Sequence, residues 1–402
     1  MTGSSVYAQT TLTAEIRPRA ELRHGFRRMP LPDEKPAGFV SQRSRLALGY
    51  QQENVRLHFS IQDVRAWGQA MQRSHNPSLD IHEAWAELLF SETFSLKAGR
   101  QELRYDNQRF FAINNWNQAG QKHDMVLLKY HSGERELHFG SAFNQQDPNR
   151  LFGTDYTIDN YKYLNFAWFR TPLWDHARLS LLGVADGFQP IEQTQSLYVR
   201  GTWSAFFTYQ PGSVRLILNP AFQHGKNPQG QETRAYYYRA EMVANFIEGL
   251  RSSLGAEVFS GNDFTDPQDQ KSMAFDALYG VGYRYNGYMN YFIRFPADTR
   301  GAGLINPFLY NKFSLTPNTT LDTDIHLFFL ENNYVHQGQV ISKYLGTELD
   351  ITLTYRFNDF TQISGGFSMM FGTESMEVIR GGSKDEAAYW TYLMIQVKPR
   401  IF

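Results

Sequence analysis

The stretch TLTAEIRPRAELRHG, residues 11–25, places an apolar or small side chain at every second position: Leu12, Ala14, Ile16, Pro18, Ala20 and Leu22. Thr13, Glu15, Arg17, Arg19, Glu21 and Arg23 fill the positions between. A period of two over a dozen residues marks a β-strand with one apolar and one polar face. Soluble sheets alternate as well, so the fold turns on what lies against each face.

The pattern recurs about eighteen times. The segments lie near 11–24, 42–52, 55–66, 80–90, 95–104, 122–131, 135–145, 159–170 and 177–187. They continue near 195–209, 213–224, 233–246, 250–261, 301–315, 319–332, 344–356, 361–372 and 388–401. Such lengths are long for soluble strands and suit tilted strands that cross a bilayer. Short turns at 53–54, 91–94, 132–134, 171–176, 211–212, 247–249, 316–318 and 357–360 alternate with longer polar stretches. This is the asymmetry of an outer-membrane barrel, with tight periplasmic turns, long extracellular loops, an even strand count and both termini in the periplasm.

The expectation is an all-β chain: a single transmembrane antiparallel β-barrel of about 18 strands. It covers residues 11–402, with 1–10 as a residual leader or disordered start. VYA at 6–8, followed by Gln9, has the form of a signal-peptidase site, although no apolar run precedes it. The 262–300 stretch is too long for a simple loop and carries FDALYGVGYRYNGYMNYF, which suggests a lid or a constriction folded inward.

Composition is compatible. No run approaches the roughly 18–20 apolar residues of a membrane helix. The mean hydropathy of −0.47 is what a barrel shows when half of each strand faces a polar lumen. A formal charge of −1 and the absence of nucleic-acid motifs argue against a nucleic-acid partner. Zero cysteines exclude thiol catalysis and disulfides.

The lipid face reads as Leu197, Val199, Trp203 and Phe207 in one segment and Leu345, Leu349, Ile351 and Leu353 in another. The opposite faces carry charge, which at mid-membrane would cost roughly 2–4 kcal/mol for each Arg or Lys facing lipid. The candidate pore-lining residues are Arg17, Arg19, Arg45, Arg56, Lys97, Arg100, Lys129, Arg200, Arg215 and Arg239, with Glu83, Glu87, Glu241, Glu348 and Asp350. So much charge suggests a wet channel rather than an apolar plug. The charges either satisfy one another across strands or form an arginine ladder for an anionic solute, which the planar guanidinium binds bidentately.

Residues from 83 onward, EAWAELLFSETFSLKAGRQELRYDNQRFFAINNW, resemble a block of the alginate-export family of outer-membrane porins. EIRPRAELRHGF is similar to that family's first strand, and KYLGTELDITLTYRF to a late one. The resemblance implies an eighteen-stranded monomeric barrel with an arginine-lined constriction, in a Gram-negative outer membrane, passing acidic polysaccharide or other solutes. It places Arg100 and Glu102 at the outer end of the fifth strand, with Asp106 and Arg109 opening the next loop. Arg100 then either lines the solute path or pins that loop through Glu102 or Asp106. The last strand ends in Phe402 as barrel-assembly signals do, with the register of Leu393, Ile395, Val397 and Ile401 offset by one.

Enzymatic chemistry finds no support. His82-Glu83 lacks a second His four residues on, and no nucleophile elbow or phosphate loop occurs. Glu83 and Glu87 stand roughly 13 Å apart on a strand, too far for a glycosidase pair. Asn262, Asp263, Asp266 and Asp269 form either a calcium loop or a polar surface loop. No cofactor is implied. The expected function is a passive outer-membrane porin for anionic solutes, with lipid and lipopolysaccharide as surroundings. The alternative is a structural or docking barrel that joins envelope protein partners and has an occluded lumen.

Overall fold

The computed structural model describes residues 8–73, 78–147, 155–156, 158–190, 196–266 and 271–402. The wall begins with β1 (Gln9–His24), β2 (Ala37–Gln52), β3 (Val55–Ala66), β4 (Leu79–Leu89), β5 (Phe94–Gln101) and β6 (His123–Ser132). It continues with β7 (Arg135–Phe143), β8 (Tyr163–Trp174), β9 (Ala177–Phe188), β10 (Tyr198–Tyr209), β11 (Val214–Leu218), β12 (Ala221–Lys226), β13 (Glu232–Ile247) and β14 (Leu250–Phe259). Next come β15 (Leu304–Thr316) and β16 (Thr319–Phe329). A small separate hairpin, β17 (Val335–His336) and β18 (Gln339–Val340), sits in the following loop. The wall ends with β19 (Tyr344–Asn358), β20 (Thr361–Gly372) and β21 (Ala388–Val397).

Each wall strand pairs antiparallel with its chain neighbours, and β21 pairs with β1. With β11 and β12 as two halves of one stave, the closed barrel has eighteen staves. Closure continues past β21: Leu12 N–H donates to the Phe402 carbonyl at 2.9 Å, and Ile401 N–H to the Leu12 carbonyl at 2.7 Å. No edge is left open, as a barrel in lipid requires. Gln9 and Thr10 belong to β1 rather than to a leader, and Met1–Tyr7 lie outside the described residues.

The split stave has a local cause. Pro220 has no N–H for the ladder. The Asn219 side-chain amide substitutes there, donating to the Ala205 carbonyl at 2.8 Å and to Ser204 Oγ at 2.9 Å. In the loop after β20, Thr373 caps the short helix α1 (Glu374–Arg380), accepting from Met376 N–H.

Alternation sets the two faces. On β1, Glu15, Arg17, Arg19 and Glu21 are buried inside while Ile16 and Leu22 face outward. Leu349, Ile351 and Leu353 on β19 are exposed to the membrane side, with Asp350 inward between two of them. Ile351→Arg is therefore expected to destabilise the folded barrel by about 2–4 kcal/mol, read as a shifted urea midpoint in lipid vesicles. An unchanged midpoint would mean that this position does not meet lipid.

The lumen departs from the expected wet channel over its loop-side half. Segments 102–122 and 271–303 fold inward and bring their own apolar side chains. Phe110, Phe111, Phe275, Met289, Tyr291, Phe292 and Phe295 form one buried cluster with Phe166 and Trp168 of β8, Phe328 of β16 and Trp390 of β21. Phe295 stacks on Phe259 of β14 at 4.0 Å between ring centroids. Wall charges at this level can be buried because they pair with one another and with loop groups.

Candidate functional site

Between the inward loops and the ends of β1–β3 lies a cavity of about 540 Å³. Arg19, Arg23, Arg27 and Arg294 line it, against a single lining carboxylate, Glu21. Arg19 and Arg23 project inward because they continue the period of two along β1. Arg27 and Arg294 come from loops. Arg65 borders the cavity at the end of β3, but its side chain shares the outward parity of Leu57, Phe59 and Ile61. Trp116 and Gln118 of segment 102–122 form part of the floor, with Tyr283 of the long loop.

The arginines differ in how far they are neutralised. Glu21 takes Arg19 Nε at 2.9 Å, Arg23 Nη2 at 2.7 Å and the Trp390 indole N–H at 3.0 Å. Arg65 is held by Asp63 at 2.5 Å. Arg294 lies 3.4 Å from Asp298, which is taken more closely by Arg380 at 2.7 Å. The exposed Arg27 guanidinium has no carboxylate partner among the described residues. Arg23 stacks over Phe26 and Phe39 at 4.0 and 4.6 Å, and Arg19 over Trp116 at 4.8 Å. Stacking occupies the faces of these two guanidiniums, and their edges are held by Glu21 and, for Arg19, by the Trp116 carbonyl at 3.1 Å. The cavity is thus a vestibule with a predominantly cationic lining.

Beneath it, the constriction is locked by buried ion pairs. Arg109, 1% exposed, donates to the Val281 carbonyl at 2.6 Å, to Asn286 Oδ1 at 2.7 Å and to Glu257 of β14 at 3.1 Å. Glu257 also faces Arg239 at 2.9 Å and accepts from the Tyr237 hydroxyl at 2.7 Å. Farther round the same stretch of wall, on β9 and β10, Arg200 pairs with Asp186 and with loop residue Asp276, each at 2.6 Å, while the Tyr279 hydroxyl donates to Asp186 at 2.8 Å. One loop is thereby fastened to the other and both to the wall. Burial raises the Asp106 carboxyl above its ordinary range, and Trp168 Nε1 donates to it at 3.1 Å. Burial likewise raises the phenols of Tyr283 and Tyr288, which stay neutral.

The sequence-derived candidates fall into four groups. Arg19 reaches the vestibule. Arg45, Arg56, Glu83, Glu87, Lys97 and Lys129 form an inward group on β2–β6: Arg56 lies 3.7 Å from Glu87, Lys129 pairs with Glu87, and Lys97 sits 3.8 Å over Trp85. Arg215 of β11 also points inward, half-buried, with no ion-pair partner among the described residues. Arg17, Arg200, Arg239, Glu241, Glu348 and Asp350 point inward but are covered or paired. Arg17 is bound by Gln118 and the Asn115 carbonyl, Glu241 pairs with Arg239 at 2.8 Å, and Glu348 and Asp350 accept from the backbone N–H groups of Met289 and Tyr288.

Arg100 is a correction. It pairs across the wall with Ala84 and Asp124 on the outward face and bonds Asp124 at 2.8 Å, so it neither lines the lumen nor pins the loop through Glu102 or Asp106. Of the calcium candidates, Asp263 and Asn262 are already engaged in hydrogen bonds. Asp263 accepts from Thr265 and Asn333, Asn262 Oδ1 accepts from Met273 N–H, and Asp269 lies outside the described residues. Arg23, Arg27, Arg65 and Arg294 were not among the candidates. Arg23 could have been found by extending the β1 alternation, whereas the loop arginines carry no periodic signal.

The family model described as alginate export matches residues 8–371. Among solved structures, the outer-membrane protein opdK from Pseudomonas aeruginosa is 12% identical with a TM-score of 0.63, covering 98% of this chain and 99% of its own. Pseudomonas aeruginosa OpdO reaches a TM-score of 0.67 at 13% identity, covering 98% of both chains. Acinetobacter baumannii OccAB1 gives 0.65 at 11%, covering 98% of this chain and 97% of its own. Among curated proteins, none matches at the sequence level.

Proposed function

Because this chain belongs to the alginate export family and forms an outer-membrane barrel of the porin type, we propose that it passes anionic solutes, acidic oligo- or polysaccharides among them, by diffusion through the arginine-lined vestibule. The observation that carries the reading is the vestibule's four inward arginines against one lining carboxylate. A low-dielectric wall lined by one sign of charge raises the local concentration of opposite ions. The exposed Arg27 guanidinium, which pairs with no carboxylate among the described residues, suits a solute carboxylate. The β2–β6 group below, with Arg45, Arg56, Lys97 and Lys129, continues the positive wall toward the turn-side end, and Glu83 and Glu87 temper it.

Planar-bilayer recording of the purified barrel tests this. The expected result is open channels with anion-selective reversal potentials and current block by oligouronate. Cation selectivity would overturn it. One observation favours a second reading, the docking barrel with an occluded lumen: the aromatic packing of two loops across the loop-side half. A folded but silent barrel that co-purifies with an envelope partner would establish that reading instead.

A further inference from the structure

A bulge in the wall gathers three ligating side chains that the vestibule does not use. The β3–β4 register slips between Ser60 and Ile61. Strict alternation would send one of His82 and Glu83 to lipid, and the bulge turns both inward. His82 is fully buried, with Nε2 2.7 Å from Glu102 Oε1. Glu102 is the first residue after β5, where segment 102–122 begins. One ring nitrogen of His82 and one oxygen from each of Glu83 and Glu102 lie within 4.8 Å of one another. Donors around one tetrahedral zinc ion at about 2.0–2.2 Å stand about 3.4 Å apart. Small side-chain rotations close the set.

Glu83 Oε1 accepts from Trp85 Nε1 at 3.1 Å and from Glu102 N–H at 3.2 Å, which orients the carboxylate and leaves Oε2 without these bonds. The nearest cation to Glu102, Arg45 Nη1, is 3.7 Å away, and the Arg45 hydrogen bonds go to Gln62 Oε1 at 2.7 and 3.1 Å. His82 Nδ1 is buried without a partner, so the Nε2 side alone orients the ring. His58 Nε2 stands 3.3 Å from Glu83 and offers a second imidazole.

The geometry points to a divalent transition-metal site of the zinc class, formed by His82, Glu83 and Glu102, with His58 beside Glu83. Imidazole donors favour zinc, nickel or copper over calcium and magnesium, whose preferred ligands are oxygens. An ion here ties the start of the constriction segment to β4. It also adds positive charge beside Arg45 on the wall of the solute path.

Equilibrium dialysis of the chelator-stripped, full-length barrel against zinc chloride tests the site, with bound metal counted per chain. The expected result is one saturable zinc, undisturbed by excess calcium, with affinity falling at least about tenfold in both His82→Ala and Glu102→Gln. Heat-modifiable gel mobility verifies that each variant is folded, and Glu102→Gln, which keeps the side chain's size, decides if His82→Ala does not fold. No saturable zinc on the native barrel, or undiminished zinc on a folded Glu102→Gln barrel, overturns the proposal. Metal content is independent of conductance, so this result and that of the anion-pore reading fail separately.

Discussion

Glu257→Gln is expected to leave the barrel closed while its constriction comes loose, giving larger conductance and protease-sensitive loops. Glu257 is the shared counterion of Arg109 and Arg239, and all three side chains are at most 1% exposed. The amide keeps the volume and one acceptor but removes the charge. Two guanidiniums then face each other in a region with little water. Removing one partner from a buried ion pair costs about 3–5 kcal/mol, because what remains is an uncompensated buried charge. Arg239 retains Glu241 at 2.8 Å. Arg109 retains only neutral acceptors, Val281 O and Asn286, so the penalty falls on the segment that Arg109 anchors. The wall has a separate source of stability in its strand ladder and closes through β1 and β21 regardless. Single-channel conductance and limited proteolysis within 102–122 and 271–303 give the reading. Native conductance with native protection would mean that the aromatic cluster alone holds the loops.

The barrel was legible because lipid enforces the signal that sequence displays best. Each wall strand must present apolar side chains outward and may present anything inward, so the period of two survives from β1 to β21. Even the split stave at Asn219-Pro220 read as one segment, since the pattern runs through the break. The constriction was not legible in the same way. Phe111, Phe275 and Phe295 lie in loops with no period, and their partners, such as Phe166 and Phe259, are distant in sequence. Arg200 and Arg239 have the parity of pore residues. Only the inward loop shows that Arg200 is consumed on Asp276, whereas Arg239 meets Glu257 directly across the β13–β14 ladder. Arg100 carries a different lesson. It stands three residues from Lys97, so a period of two already places the two on opposite faces, and the family resemblance drew it into the lumen against that parity. His82 and Glu83 illustrate the opposite case, adjacent residues made to share a face by a bulge.

Replacing Arg27 and Arg294 together by Glu is expected to abolish anion selectivity and carry the reversal potential toward the cation side. Each substitution changes the charge by two units, so the vestibule changes by 2 × 2 = 4. A unit charge about 8 Å from a passing ion is worth about 0.5 kcal/mol in water, and the four units sum to about 2 kcal/mol before screening. At physiological salt the Debye length is about 8 Å, which reduces this to about 0.7 kcal/mol; it opposes the anion and favours the cation, so the permeability ratio falls by roughly tenfold. In dilute salt the effect grows, and that dependence separates a through-space field from a change in pore width. Arg19 and Arg23 are left in place because Glu21 holds both and their loss would free a buried carboxylate. The two chosen arginines stand in loops and are exposed, with Asp298 the acidic neighbour of Arg294. An unchanged permeability ratio at low salt would remove the vestibule from the solute path and leave selectivity to Arg45, Arg56, Lys97 and Lys129 on the wall below.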